Sequence, residues 1–330
     1  MTGLRIHGGP DEHGVPRYDF STNSNACGPC SQTLLAIKNA DLTTYPDSSY
    51  AALRAQLAAF HQVEVERIVL AASASEFIFR ITSLVAQNSK ASVWLPPHAY
   101  GDYAQAALAY DLPVAANAGA AQLVWGCDPS SPTGAAQAGL QAMTGALTET
   151  AIMVVDSAYE PLRLGAAITL TAAQLRSVWQ LWTPNKALGL TGVRGAYAIA
   201  PHQSPNAAAM NARCPSWPIG AHGVAMLQAW TSTAAQSWLA DSLSTLREWK
   251  ARQLALCESM GWTNLPGNAN FFCATPALPS SLSLPEALAR LRAQGIKLRD
   301  TTSFGLPGKV RLGVLAPSAQ DALVASLRKL

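Results

Sequence analysis

The sequence predicts an α/β protein with a mostly parallel, helix-covered sheet in a large domain, followed by a smaller α/β domain. Three observations carry this. From residue 67 to 200, short apolar runs alternate with segments of helical periodicity, the pattern of βαβ units. A proline cluster (Pro201, Pro205, Pro215, Pro218) then breaks the alternation. Beyond it, a long helical stretch leads back into short strand-like runs.

The elements follow in order. Pro and Gly punctuate residues 1–47, which read as an irregular arm. Leu53, Leu57 and Phe60 recur at helical spacing, predicting a helix from Ser48 to Phe60 with Ser48 or Ser49 as its cap. Strands are expected over Arg67–Ala71, Ser92–Leu95, Gln122–Trp125, Ala151–Val155, Gln180–Thr183 and Ala196–Ala200. Helices are expected over Ser75–Ala86, Tyr100–Tyr110 and Gly139–Leu147. A long helical region from Ala221 to Met260 follows, then strands at Asn270–Cys273, Ile296–Arg299 and Val310–Val314. The resulting division is an arm over 1–40 packing with the small domain, a large domain over 41–204, and a linker helix with the small domain over 205–330.

Composition narrows the function classes. Hydrophobic residues make up 49% and charged residues 13% of the 330, as in a chain that buries a large core. The net charge of +3 comes without a basic stripe, which argues against nucleic acid as a partner. No apolar run approaches the ~20 residues that span a bilayer. The first residues lack the apolar core of a secretory signal, so the expected location is the cytoplasm. Cys27-Gly28-Pro29-Cys30 has dithiol spacing, but it follows a polar, turn-like segment rather than a buried strand, and no second Cys/His pair completes a metal site.

Four segments combine residue types that chemistry uses. Ile152-Met153-Val154-Val155-Asp156 ends an apolar run in an acid, with Tyr159 three residues on. Taken alone, Asp156 also reads as an ordinary loop or cap acid. Thr183-Pro184-Asn185-Lys186, with Arg194 eight residues after the lysine, lies in a Gly-punctuated loop; alone, Lys186 also reads as a surface lysine. Asp128-Pro129-Ser130-Ser131-Pro132-Thr133-Gly134 follows a strand and also reads as a plain turn. Ser73-Ala74-Ser75-Glu76 opens a helix, where hydroxyls and free N–H groups make either a simple cap or an anion site.

In that order and spacing, these segments resemble the fold-type I pyridoxal 5′-phosphate (PLP) aminotransferases over most of the chain. The likeness is greatest to the branch containing histidinol-phosphate aminotransferase and the threonine-phosphate decarboxylase of cobalamin biosynthesis. The resemblance implies the aspartate aminotransferase-like PLP-transferase fold. It implies that Lys186 carries the cofactor and shuttles a proton, that Asp156 pairs with the ring nitrogen, and that Tyr159 donates to the ring oxygen. Thr183, Arg194, Ser73, Ala74 and Ser75 would hold the cofactor phosphate, and Tyr100 would stack on the ring. Tyr45 matches a tyrosine that reaches the phosphate of a neighbouring subunit, implying a homodimer. Arg311, and secondarily Arg299, would bind the substrate's anionic groups; Asn23 and His7 would lie on the substrate side. No metal is implied.

The pattern departs in places. Ser131 stands where the family has Asn before Pro-Thr-Gly, Asp128 where that turn has its first Asn, Ser73 where the phosphate loop has Gly, and Asn185 where Ser precedes the lysine. These departures bear on cofactor affinity and on electronic tuning of the ring. His7-Gly8-Gly9 with Asp19-Phe20-Ser21, and Arg299-Asp300 with Ser303-Phe304-Gly305, are similar to the cobalamin-pathway decarboxylase. The first expectation is therefore decarboxylation of a phosphorylated amino acid such as O-phosphothreonine. The alternative is transamination of histidinol phosphate or an aromatic amino acid with 2-oxoglutarate. A third reading, from another class, is a PLP-fold binding protein without catalysis.

Overall fold

A computed structural model describes residues 7–148 and 150–330. Its centre is a six-stranded sheet. Across the sheet the strands run Ile68–Ala71, Ala196–Ile199, Trp179–Trp182, Ile152–Asp156, Leu123–Cys127 and Val93–Trp94. Ala196–Ile199 is antiparallel to both neighbours, and the other pairings are parallel. Ile152–Asp156 and Leu123–Cys127 are buried at every position, as expected of strands covered on both faces. Helices Ala74–Val85 and Gly101–Ala109 pack together over one side, where Phe77, Ile78, Ile81 and Tyr103 meet Val93, Trp125 and Trp179.

The second sheet is antiparallel, in the order Arg299–Asp300, Val310–Gly313, Phe271–Thr275, Thr263–Asn264. Its core contains Phe272, Leu291, Leu312 and Leu323. Among the described residues, no helix is long and apolar enough to cross a membrane.

Several elements differ from the sequence expectation. The arm is not wholly irregular: Ser31–Lys38 is a helix packed on helix Ala221–Trp230. The helix expected from Ser48 begins at Ala51 and is not capped by Ser48 or Ser49. Asp47 supplies the cap instead, its carboxylate accepting from the Ser49 and Ala51 N–H groups at 3.0 and 2.9 Å. Tyr50 can then adopt the left-handed conformation (φ 50°), anchored by its buried hydroxyl donating to the Ile219 carbonyl at 2.8 Å. The proline-rich linker contains a helix, Asn206–Ala212. The long helical region breaks at Thr231, because Ser232 caps a new helix, Thr233–Ser259, by accepting from Ala235 N–H. The run Ile296–Arg299 splits: Ile296–Lys297 pairs in parallel with arm strand Tyr18–Asp19, while Arg299–Asp300 joins the second sheet.

Helix Thr233–Ser259 carries a buried lysine that ties it to the second sheet. Lys250 Nζ donates to the Gly267 and Ala269 carbonyls at 2.6 and 2.7 Å, just before strand Phe271–Thr275. Burial pushes the Lys250 ammonium down from 10.5 to about 8. Between these values the unfolded chain holds more protons than the folded one, so this residue's contribution to stability rises with pH. Below pH 8 Lys250 is charged in both states and its desolvation cost is fully present. The stability of the wild type relative to Lys250→Met should therefore climb between pH 8 and 10.5, by about 3 kcal/mol at most. Denaturant titrations of both proteins across that window check it, and parallel pH profiles would refute it.

Candidate active site

The five mutually parallel strands of the central sheet end on one side, where ligands bind in such folds. Their following loops surround a cavity of about 480 Å³. Every residue to which the resemblance gives a catalytic, cofactor or substrate role lines this cavity except Tyr45.

The strand-end acid comes first. Asp156 closes strand Ile152–Asp156 and is 3% exposed. Its Oδ1 accepts from Ala158 N–H at 2.9 Å and its Oδ2 from the Tyr103 hydroxyl at 2.6 Å. Burial pushes the carboxyl up from its ordinary value; these two donors and the charge of Lys186 pull it back. Lys186 lies across the cavity, its Nζ 5.5 Å from the centre of the Tyr159 ring. Asn23 Nδ2 donates to the Tyr159 hydroxyl at 3.3 Å, so the phenol's own proton remains free to face a ligand.

The arm shapes the lysine loop. Asn25 N–H donates to the Lys186 carbonyl and Cys30 N–H to the Leu188 carbonyl, both at 2.9 Å. Asn25 Nδ2 reaches the Ala187 carbonyl at 3.0 Å. A Cβ on Gly28 would stand 3.0 Å from the Gly189 Cα, so this close approach needs glycine. Cys27-Gly28-Pro29-Cys30 is thus a brace for the loop. Both thiols are free, and Cys30 is buried at the start of helix Ser31–Lys38.

The anion end lies at helix Ala74–Val85. Ser73 caps that helix, accepting from Glu76 N–H at 3.1 Å. Its oxygen accepts the cap bond and its own proton remains free to donate, while Ala74 and Ser75 lie in the first turn, where N–H groups lack intrahelical acceptors. Ser75 Oγ lies 3.4 Å from the Tyr100 hydroxyl. Thr183 is 5% exposed, and its Oγ1 has no protein partner. Arg194 is exposed at the cavity rim.

The far wall comes from the second sheet and the arm. Arg299 and Arg311 are paired in register on adjacent strands, 3% and 7% exposed. Both guanidiniums pack on the Phe304 ring, at 4.8 and 5.4 Å from its centre. Burial and the neighbouring Arg311 charge push Arg299 down to about 10. Arg311 donates to the Ser131 carbonyl at 2.9 Å and the Ser21 carbonyl at 3.2 Å. His98 Nδ1 meets the Phe304 carbonyl at 2.8 Å, joining this wall to the central sheet. His7 is exposed, its ring 6.4 Å from that of Tyr100.

Tyr45 lies outside the cavity of its own chain, 78% exposed and stacked on Trp217 at 4.6 Å. The family-position changes have local partners. Asp128 forms a buried ion pair with Arg163 at 2.9 Å. Asn185 Nδ2 holds the Val193 and Thr191 carbonyls at 3.3 and 3.4 Å. The sequence reading gave no individual role to Tyr103, Phe304, His98 or Asn25, although Phe304 fell in the Ser303-Phe304-Gly305 segment and Tyr103 lies three residues after Tyr100.

The residues present fit pyridoxal phosphate. Thr183 Oγ1 and Asn185 Oδ1 are buried acceptor or donor atoms that lack protein partners, on the lysine loop. A helix N-terminus and an arginine stand at one end of the cavity, and a buried carboxylate lies within it. Comparisons with known proteins agree. The profile of aminotransferase class I and II matches residues 17–118 and 114–327. A histidinol-phosphate aminotransferase of Jannaschia sp. is 26% identical, covering 94% of this chain and 90% of that protein. One of Symbiobacterium thermophilum is 25% identical, covering 94% and 89%. In fold, the chain is similar to the Sinorhizobium meliloti histidinol-phosphate aminotransferase in complex with pyridoxal-5′-phosphate (TM-score 0.85, 22% identity, 99% and 95% covered). It is also similar in fold to the L-threonine-O-3-phosphate decarboxylase of Porphyromonas gingivalis (TM-score 0.74, 18% identity, 94% and 98% covered). A match that spans nearly the whole chain places it: the chain belongs to the aminotransferase class I and II family and is a fold-type I, pyridoxal phosphate-dependent enzyme.

Proposed function

We propose that this enzyme is an aminotransferase for a phosphorylated amine, with histidinol phosphate as the first candidate and 2-oxoglutarate as amino acceptor. The observation that carries the reading is the pair Arg299 and Arg311, two buried guanidiniums facing the cavity that holds Lys186. Two cations in one dry wall match a substrate phosphate in one half-reaction and a dicarboxylate in the other. The names of the curated relatives point the same way.

Within this reading the residues divide the work. Pyridoxal phosphate, when bound, withdraws electrons from the substrate's α-carbon. Asp156 would hold a proton at the ring nitrogen, and Tyr159 would donate to the ring oxygen. Thr183, Ser73, Ser75, the Ala74 N–H and Arg194 would hold the cofactor phosphate. Ser131 would offer its hydroxyl toward the ring, and Tyr100 would stack on it. Lys186 would carry the cofactor and serve as general base and acid for the substrate's α-proton. Arg311 and Arg299 bind the substrate's anionic end, with Asn23 and His7 lining the same side. The enzyme acts as a homodimer in this reading: Tyr45 and Trp217, exposed beside Leu42, face a second copy whose phosphate site Tyr45 completes.

One observation favours a second reading, decarboxylation of a phosphorylated amino acid such as O-phosphothreonine. His7 and Gly8, part of the segment similar to the decarboxylase, line the cavity. The two are separated by incubating the PLP-loaded enzyme with histidinol phosphate plus 2-oxoglutarate, and separately with O-phospho-L-threonine. Glutamate formed in the first supports transamination. Carbon dioxide released in the second, without glutamate in the first, replaces it with decarboxylation.

A further inference from the structure

We infer that Tyr103 is a positioning residue that sets the charge state of the cofactor ring by acting through Asp156. The inference rests on the reading above that Asp156 meets the ring nitrogen. Tyr103 lies on helix Gly101–Ala109 and is fully buried. Its ring stacks on Trp125 at 4.3 Å and 8° from parallel, and Tyr100 meets it edge-on at 5.7 Å. This packing aims the hydroxyl at Asp156 Oδ2, 2.6 Å away. Such a distance marks a charge-assisted hydrogen bond, in which the phenol donates to an ionised carboxylate.

The consequence is directional. A proton between Asp156 and a ring nitrogen can sit on either. A donor on the carboxylate stabilises its charged form and so keeps the proton on the nitrogen. Without the phenol, the Ala158 N–H is the one hydrogen bond left to the carboxylate among the described residues, and the carboxylate binds the proton more tightly. The ring then loses positive charge and withdraws electrons less strongly.

Tyr103→Phe keeps the ring and its stacking while removing the donor. The holoenzyme would be reconstituted with pyridoxal phosphate labelled with ¹⁵N in the ring, and the nitrogen chemical shift read for wild type, Y103F, D156N and the double variant. We expect Y103F to move the shift toward neutral pyridine and to weaken cofactor binding by about ten-fold or more, the scale of a charge-assisted hydrogen bond. The same change in the D156N background should leave the shift nearly still. If D156N moves the shift and Y103F does not, the role of Tyr103 is overturned while that of Asp156 stands. If neither moves it, both fall. If Y103F moves it equally with and without Asp156, the effect does not run through the carboxylate and the inference fails. The double variant, which carries no buried aspartate charge at this position, keeps the comparison readable even where Y103F alone is unstable.

Discussion

Lys186→Ala should abolish the visible absorbance of the lysine-bound cofactor and lower turnover by about a thousand-fold or more. The size follows from two roles lost together. Lys186 lines the cavity near the start of the loop after strand Trp179–Trp182, and its Nζ lies over the Tyr159 ring. An alanine there can neither attach the cofactor nor take the α-proton. The fold should tolerate the change, because the loop is held by its backbone: Asn25 N–H grips the Lys186 carbonyl, Asn25 Nδ2 the Ala187 carbonyl and Cys30 N–H the Leu188 carbonyl. The variant should therefore still bind the cofactor noncovalently, and unfold near the wild-type temperature. Absorbance spectroscopy with and without borohydride, and a calorimetric melt, read both halves. A variant that retains the covalent band would remove Lys186 from the proposed role.

This loop also shows where sequence reading succeeds and where it stops. Thr183, Lys186 and Arg194 were legible because their spacing is local: one turn after one strand places all three. Asp156 and Tyr159 were legible for the same reason. The central strands were legible because apolar runs bounded by small residues leave few alternatives. The brace on the loop was not legible. It joins residues 25–30 to 186–189 mainly through backbone hydrogen bonds, which a residue of almost any type can make, with Asn25 Nδ2 on the Ala187 carbonyl as its side-chain part. The Tyr103–Asp156 bond is long-range in the same way, linking positions 53 apart. The misplaced cap at residue 47 has a different cause. Asp47, Ser48 and Ser49 are all good caps by type, and the choice fell to Tyr50, whose buried hydroxyl meets Ile219 and forces a left-handed step before the helix. Tertiary contact there overrode a local preference.

Arg311→Ala should raise the KM for the anionic substrate by about a hundred-fold, near 3 kcal/mol, while leaving the spectrum of the bound cofactor in place. Contacts within the chain already hold the guanidinium. Two of its nitrogens are spent on carbonyls, Nη1 on Ser131 and Nη2 on Ser21, and its face lies on Phe304 and Phe271. These contacts orient the side chain, and its Nε remains buried without a protein partner. Burial pushes the guanidinium down from its ordinary value, and an anion beside it would reverse that shift. A substrate phosphate or carboxylate is such an anion. Because Arg311 also stitches Ser131 to Ser21, loss of affinity alone does not separate binding from architecture. Arg311→Lys does. It keeps the charge and loses the planar fork, so a binding role predicts a KM between those of wild type and alanine, with kcat less affected. A purely architectural role predicts instead that both variants shift the cofactor spectrum and lower the melting temperature together, since Arg311 holds the Ser131 carbonyl of a turn that lines the cavity. Steady-state kinetics with histidinol phosphate and with 2-oxoglutarate, measured separately, would also show whether Arg311 serves both half-reactions. Equal losses for the two substrates place their anionic groups on the same guanidinium. A loss confined to one assigns the other to Arg299, its register partner on the adjacent strand.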